Sequence, residues 1–204
     1  MLKQSFFGSL AAGVMLTIGA GVFLSCDNKV VGAVAFSVAL MVICMLGMYL
    51  YTGKIGMLAE DYSPMNLGCV VVGLIGNYIT ATLGGLVLGL VKPALYEKAV
   101  TMCEAKLEQK WYIAIILGIF CGILMYTAVK GYANTKQPII LVFCVAVFIL
   151  SGYEHSIADM AYFGVARMFG LKTVCFILLV VLGNTIGGML IPLLMKGAKK
   201  NEKN

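Results

Sequence analysis

The chain is 204 residues long, 61% hydrophobic and 12% charged, with a mean hydropathy of +0.99. Soluble domains run at roughly 25% charged and 45–50% apolar residues, so the composition excludes a soluble globular protein. The net charge of +6, from 15 Lys and Arg against 9 Asp and Glu, sits at the ends of apolar runs and in the C-terminal tail. There it suits lipid headgroups and small anions rather than nucleic acid.

Unbroken apolar runs of about 20 residues have the length of a spanning helix, not the short alternating segments of a barrel. The chain is therefore read as one all-α integral membrane domain with six transmembrane helices. The first covers about Phe6–Leu24. Its apolar run continues without a clear cleavage site, so it is read as a retained span, and Gly8, Gly13, Gly19 and Gly21 suit close helix contact. The second span starts near Val30 and does not end cleanly. TGKIGMLAEDYSP, from Thr52, is too irregular for a helix interior and too apolar for an ordinary loop. Non-helical backbone at membrane depth is tolerated only where it lines a cavity or is buried in protein.

The third span covers about Asn66–Val91, with Asn77, Thr80 and Thr82 inside it. A polar connection, Lys92 to Lys110, leads to span four, about Trp111–Val129. Span five, about Ile139–Met168, is interrupted by FILSGYEHSIADM (Phe148–Met160), and span six runs about Leu171–Leu194. Residues 196–204 form a basic tail. An even number of spans puts both termini on one side. Lysine and arginine are near parity between the two sides, so only the lysine-rich tail favours the cytoplasm for the termini.

The interruption in span five carries Glu154, Asp159 and the single histidine of the chain, His155. Ionisable side chains at mid-membrane depth cost roughly 2.5–3.5 kcal/mol each on insertion scales, so their presence predicts a polar centre in a pathway. Glu154 and Asp159 also suit a second reading, bonding the broken backbone or pairing with Arg167. The seven cysteines are odd in number and contain no CxxC, so neither a zinc site nor a redox pair is signalled. One histidine offers no di-histidine metal site, and neither GxSxG nor HExxH occurs. No enzyme activity, metal or cofactor is expected.

Residues 1–100 and 101–195 form a faint internal repeat: LIGN (Leu74–Asn77) is echoed by VLGN (Val181–Asn184), and the two irregular spans correspond. Each half has three spans, so the halves are expected to be inverted, with a transport site where the broken helices meet. A water or neutral-solute channel of the aquaporin kind is an alternative, although the paired NPA boxes are missing.

At GYEHSIADM the chain resembles the formate/nitrite transporter family, whose fifth span carries a GFEHSIANM-type stretch. LYTG in span two, the GN of span three, a lysine before span four and LGNTIGG in span six agree in order and spacing. The resemblance implies six spans in an aquaporin-like inverted repeat with spans two and five broken. It also implies a homopentamer with a pore in each protomer. Members pass small monovalent weak-acid anions: formate, nitrite, hydrosulfide and, in some branches, lactate or acetate. By resemblance the central histidine falls on His155, the preceding glutamate on Glu154, the threonine of the first break on Thr52, the vestibule lysine on Lys106 and the span-six asparagine on Asn184. The apolar constrictions fall on Phe36, Leu40 and Phe148 on one side and on Leu50 and Tyr51 on the other. Gly122 and Asp159 stand where many members carry asparagine, and the usual N-terminal amphipathic helix is absent.

Such residues suit passage of an anion that becomes neutral on the way. A bare anion cannot cross an apolar constriction cheaply. Lys106 would concentrate it, and Thr52 and His155 would hydrogen-bond it between the constrictions. Imidazole exchanges protons near neutral pH; the proton comes from His155 or from vestibule water. Formate and nitrite are the leading substrates, with hydrosulfide next, and Gly122 is expected to leave the pore wall less polar.

Overall fold

The long apolar runs become long helices. The computed structural model describes residues 1–201, which form ten helices with no strand among them. In chain order these are α1 (Leu2–Ser25), α2 (Lys29–Met45), α3 (Tyr51–Lys54), α4 (Met57–Glu60), α5 (Pro64–Val91), α6 (Pro93–Leu107), α7 (Trp111–Thr135), α8 (Ile139–Leu150), α9 (Ser156–Val165) and α10 (Leu171–Asn201). By length and composition α1, α5, α7 and α10 as far as Ala198 can each cross a membrane. The apolar helices α2 and α8 have 17 and 12 residues, short of the roughly 20 a span needs. Each runs into non-helical backbone and restarts, α2 into α3 and α4, α8 into α9. The interruptions therefore lie beside Thr52 and His155, where the sequence pattern puts them.

Starts and stops have local causes. The Asn28 side chain accepts from the Val30 and Val31 amides to open α2, and Ser63 accepts from the Asn66 amide to open α5, with Pro64 in its first turn. The polar connection becomes α6, again with proline in the first turn. The expected division between halves at residues 100 and 101 falls inside α6. The expected basic tail begins within α10, which continues to Asn201; residues 202–204 lie outside the described residues.

The packing pairs α1 with α5, α7 with α10, α2 with α8, and α9 with α5. Phe7, Val14, Ile75, Leu83, Ile116, Phe120, Leu178 and Leu182 point outward and are exposed, an apolar rim that lipid would cover. Inside, small residues let backbones approach. A Cβ at Gly118 would stand 3.1 Å from the Gly183 Cα, and one at Gly122 would meet the Gly188 amide at 2.8 Å. Gly122 is thus a contact between α7 and α10. An asparagine there would push the two helices apart, and packing, not pore polarity, accounts for the glycine.

Candidate functional site

The helices α2 and α8 end alike. Gly47 and Gly152 take positive φ, 65° and 69°. The next amides, Met48 and Tyr153, reach back to the Ile43 and Phe148 carbonyls, both at 2.9 Å. These are Schellman ends, which only a residue without a Cβ adopts at little cost. The chain then runs extended, and its polar groups are met by neighbours. The Tyr49 amide donates to the Gly8 carbonyl of α1 at 3.1 Å, and the Glu154 amide to the Leu117 carbonyl of α7 at 3.4 Å.

Two asparagines complete each tie. Asn77 on α5 accepts from the Tyr51 amide at 2.9 Å and donates to the Ser9 and Tyr49 carbonyls at 2.8 and 3.1 Å. Asn184 on α10 accepts from the Ser156 amide and donates to the Gly118 and Glu154 carbonyls, all at 2.9 Å. Both amides thus join a long helix to its neighbour and to a break. Their N–H groups are used on backbone and leave no donor for a passing anion.

The restart of the second break places the imidazole. His155 is the N-cap of α9, and its Nδ1 accepts the Ala158 amide at 3.1 Å. A nitrogen that accepts carries no proton, so the ring proton is on Nε2, which lies 3.0 Å from Thr52 Oγ1. The ring therefore donates to the threonine, and the Thr52 hydroxyl proton remains free for a third group. Both side chains are buried. An imidazolium could not accept the α9 amide, so this geometry belongs to the neutral ring.

Apolar side chains close around the pair. Phe148 stacks on the imidazole with centroids 5.5 Å apart, and Phe36 meets Phe148 edge-on at 6.1 Å. Phe36, Leu40, Leu50, Tyr51 and Phe148 all belong to one buried cluster. The Tyr51 hydroxyl is 2.6 Å from Thr185 Oγ1, which ties that ring to α10. A cavity of about 270 Å³ ends at Phe148 and His155 and is lined also by Lys106, Gln109, Glu154 and Asp159. A second, of about 130 Å³, is lined by Leu50 and Gly53, which flank Tyr51 and Thr52 in the chain, and by Lys54 and Lys136. A larger cavity of about 630 Å³ around Glu60, Tyr126 and Lys130 touches none of the predicted residues.

Lys106 reaches from α6 over α9. Its ammonium pairs with Glu154 and, at 3.0 Å, with Asp159. Gln109, which carries no signal in the sequence, donates to the other Glu154 oxygen at 2.9 Å. Burial works against the lysine charge, but the Asp159 and Glu154 carboxylates outweigh it and hold the ammonium above its ordinary range. Arg167 is no partner of either acid; its guanidinium lies 3.9 Å from the Tyr96 ring centroid. Lys29, equally silent in the sequence, lines the larger of the two flanking cavities and donates to the last carbonyl of α8, Leu150, at 3.3 Å. Among the described residues no three His, Cys, Asp or Glu side chains converge as a metal site would require.

A family model described as "Formate/nitrite transporter" matches residues 1–197. The formate channel FocA of Haemophilus influenzae is 26% identical over 151 residues, 65% of this chain and 52% of that protein. FocA of Escherichia coli K12 is 25% identical over 192 residues, 77% and 64%. An uncharacterized transporter of Bacillus subtilis, YrhG, is 27% identical over 180 residues, 79% and 68%. The chain spans about half to two thirds of the length of these curated relatives. Among solved structures, an "FNT family ion channel" superposes with a TM-score of 0.84 at 20% identity, covering 95% of this chain and 89% of the other. A "Pentameric formate channel with formate bound" gives 0.83 at 21%, covering 98% and 97%. At these identities the likeness establishes the fold.

Proposed function

Since the chain belongs to the formate/nitrite transporter family, we propose that it passes small monovalent weak-acid anions, formate or nitrite, across a membrane with a proton. Each protomer of a homopentamer would carry its own pore. In this reading six spans form an inverted repeat: α1, α2 with α3 and α4, and α5 make one half, and α7, α8 with α9, and α10 the other. The like-for-like ties at the two breaks support it. The protein sits in the inner membrane of a prokaryote with both termini cytoplasmic. Relatives named as formate channels support the substrate class.

The observation that carries the reading is the buried Thr52–His155 hydrogen bond at the meeting of two broken helices, with a cavity on either side. The substrate reaching the pair accepts a hydrogen bond from the Thr52 hydroxyl, which the neutral imidazole orients through Nε2–H. The rings of Phe36 and Phe148 and the side chain of Leu50 exclude water, so only a species that has become neutral crosses cheaply. Lys106 concentrates the anion at the mouth.

Uptake of formate, nitrite and hydrosulfide into proteoliposomes, with and without a pH gradient, tests this. Formate or nitrite uptake should rise when the outside is acid, and His155→Ala should remove it. Native flux in that variant, or uptake indifferent to all three anions, would end the proposal.

A further inference from the structure

The cluster at the mouth does not balance its charges. One ammonium, on Lys106, faces two carboxyl groups, on Glu154 and Asp159, both buried. Asp159 spends one oxygen on Lys106; its Oδ2 is buried and meets no hydrogen-bond donor. The Asp159 side chain lines the cavity that reaches His155. With both acids ionised the cluster would carry a net negative charge in a poorly solvated place, and it would repel the anion that the pore is built to admit.

Lys29 on α2 lines the same cavity, but its ammonium donates to the Leu150 carbonyl and forms no ion pair with either acid among the described residues. The remaining titratable groups facing Asp159 are Cys103 on α6, Cys121 on α7 and Tyr162 on α9 itself, with His155 held as a neutral helix cap. The helix α5, packed on α9, has no charged residue. The charges carried by α1, α3 and α10 form no ion pair with Asp159 among the described residues.

We propose that Glu154 and Asp159 share one proton, and that this proton is the one an entering weak-acid anion takes up. The inference rests on the transport reading above and names the proton source in it. The O–H bond at Asp159 Oδ2 breaks and an O–H bond forms on the anion. The neutral acid moves on toward Thr52. The carboxylate left behind is held by Lys106 until a hydronium ion from the mouth returns the proton, so each cycle carries one anion and one proton. His155 takes no part in the transfer and keeps its cap on α9.

Infrared spectroscopy of the purified full chain in lipid nanodiscs reads the shared proton directly. At neutral pH the native protein should show the carbonyl stretch of a protonated carboxylic acid, sensitive to deuteration. Asp159→Asn and Glu154→Gln should each lose it, because one carboxylate and one ammonium need no extra proton. Both changes preserve shape, and circular dichroism checks the fold. In proteoliposomes Asp159→Asn should slow formate uptake at neutral pH about a hundredfold, the low end of what a positioned proton donor contributes. Uptake should recover as the outside is acidified. A missing band in the native protein, a band that persists in both variants, or native uptake by Asp159→Asn at neutral pH would overturn the assignment. If no anion is transported even by the native chain, the transport reading fails, and the infrared band alone still decides whether the proton is shared.

Discussion

Thr52 makes one hydrogen bond among the described residues, to His155, and that simplicity makes it a clean probe. Thr52→Val keeps the volume and removes the hydroxyl. A hydrogen bond is worth about 1 kcal/mol net in stability, and more when made to an ion. The variant should therefore unfold almost where the native protein does while passing formate roughly tenfold more slowly, since about 1.4 kcal/mol on a barrier is a factor of ten. Thermal unfolding in detergent and initial uptake rates measure the two effects separately. At this scale the sequence was only partly legible. A lone histidine beside a glutamate inside an apolar run announced itself. That Lys106 would serve two acids did not, because the contact depends on how α6 folds back over α9, and side chains 48 and 53 residues apart in the chain carry no periodic signal of it.

The interruptions after α2 and α8 are properties of elements, and they rest on devices that carry distinct energies. A methyl group added at Gly47 or Gly152 would meet nothing within 4 Å, so alanine at either would suffer from backbone conformation alone. Each substitution should cost roughly 1–2 kcal/mol, read as a lower unfolding temperature with little change in flux. Asn184→Ala removes three hydrogen bonds from buried backbone. It should cost more, about 2–4 kcal/mol, and should also loosen the His155 segment so that uptake falls. Gly122→Asn should destabilise by about 1–3 kcal/mol through overpacking of α7 on α10. The LIGN and VLGN echo showed that Asn77 and Asn184 correspond, but not that both serve the breaks. An asparagine in a span reads equally as pore lining or as structural glue until the carbonyls around it are known.

For the molecule as a whole, the apolar rim and the charged mouths separate what faces lipid from what faces water. Composition alone announced this division, since 61% hydrophobic residues leave no soluble core to build. The irregular residues after Leu50 and around His155 already marked the two breaks, but not where the helices restart. That α2 and α8 stop after 17 and 12 residues and resume as α3 and α9 is set by contacts with α1, α5, α7 and α10. Native mass spectrometry should find five chains of 21.8 kDa in one particle; a monomer that still transports would remove the pentamer from the proposal. Cys26, in the turn between α1 and α2, should react with an impermeant thiol reagent applied outside intact cells if the termini are cytoplasmic.

The imidazole of His155 does two jobs with opposite ends of one ring, anchoring a helix through Nδ1 and steering a hydroxyl through Nε2. Any replacement must therefore be judged as a split tenancy. Asparagine is a good helix cap yet too short to reach Thr52, so His155→Asn should spare the unfolding temperature while silencing uptake. Alanine vacates both roles and should lower the two together.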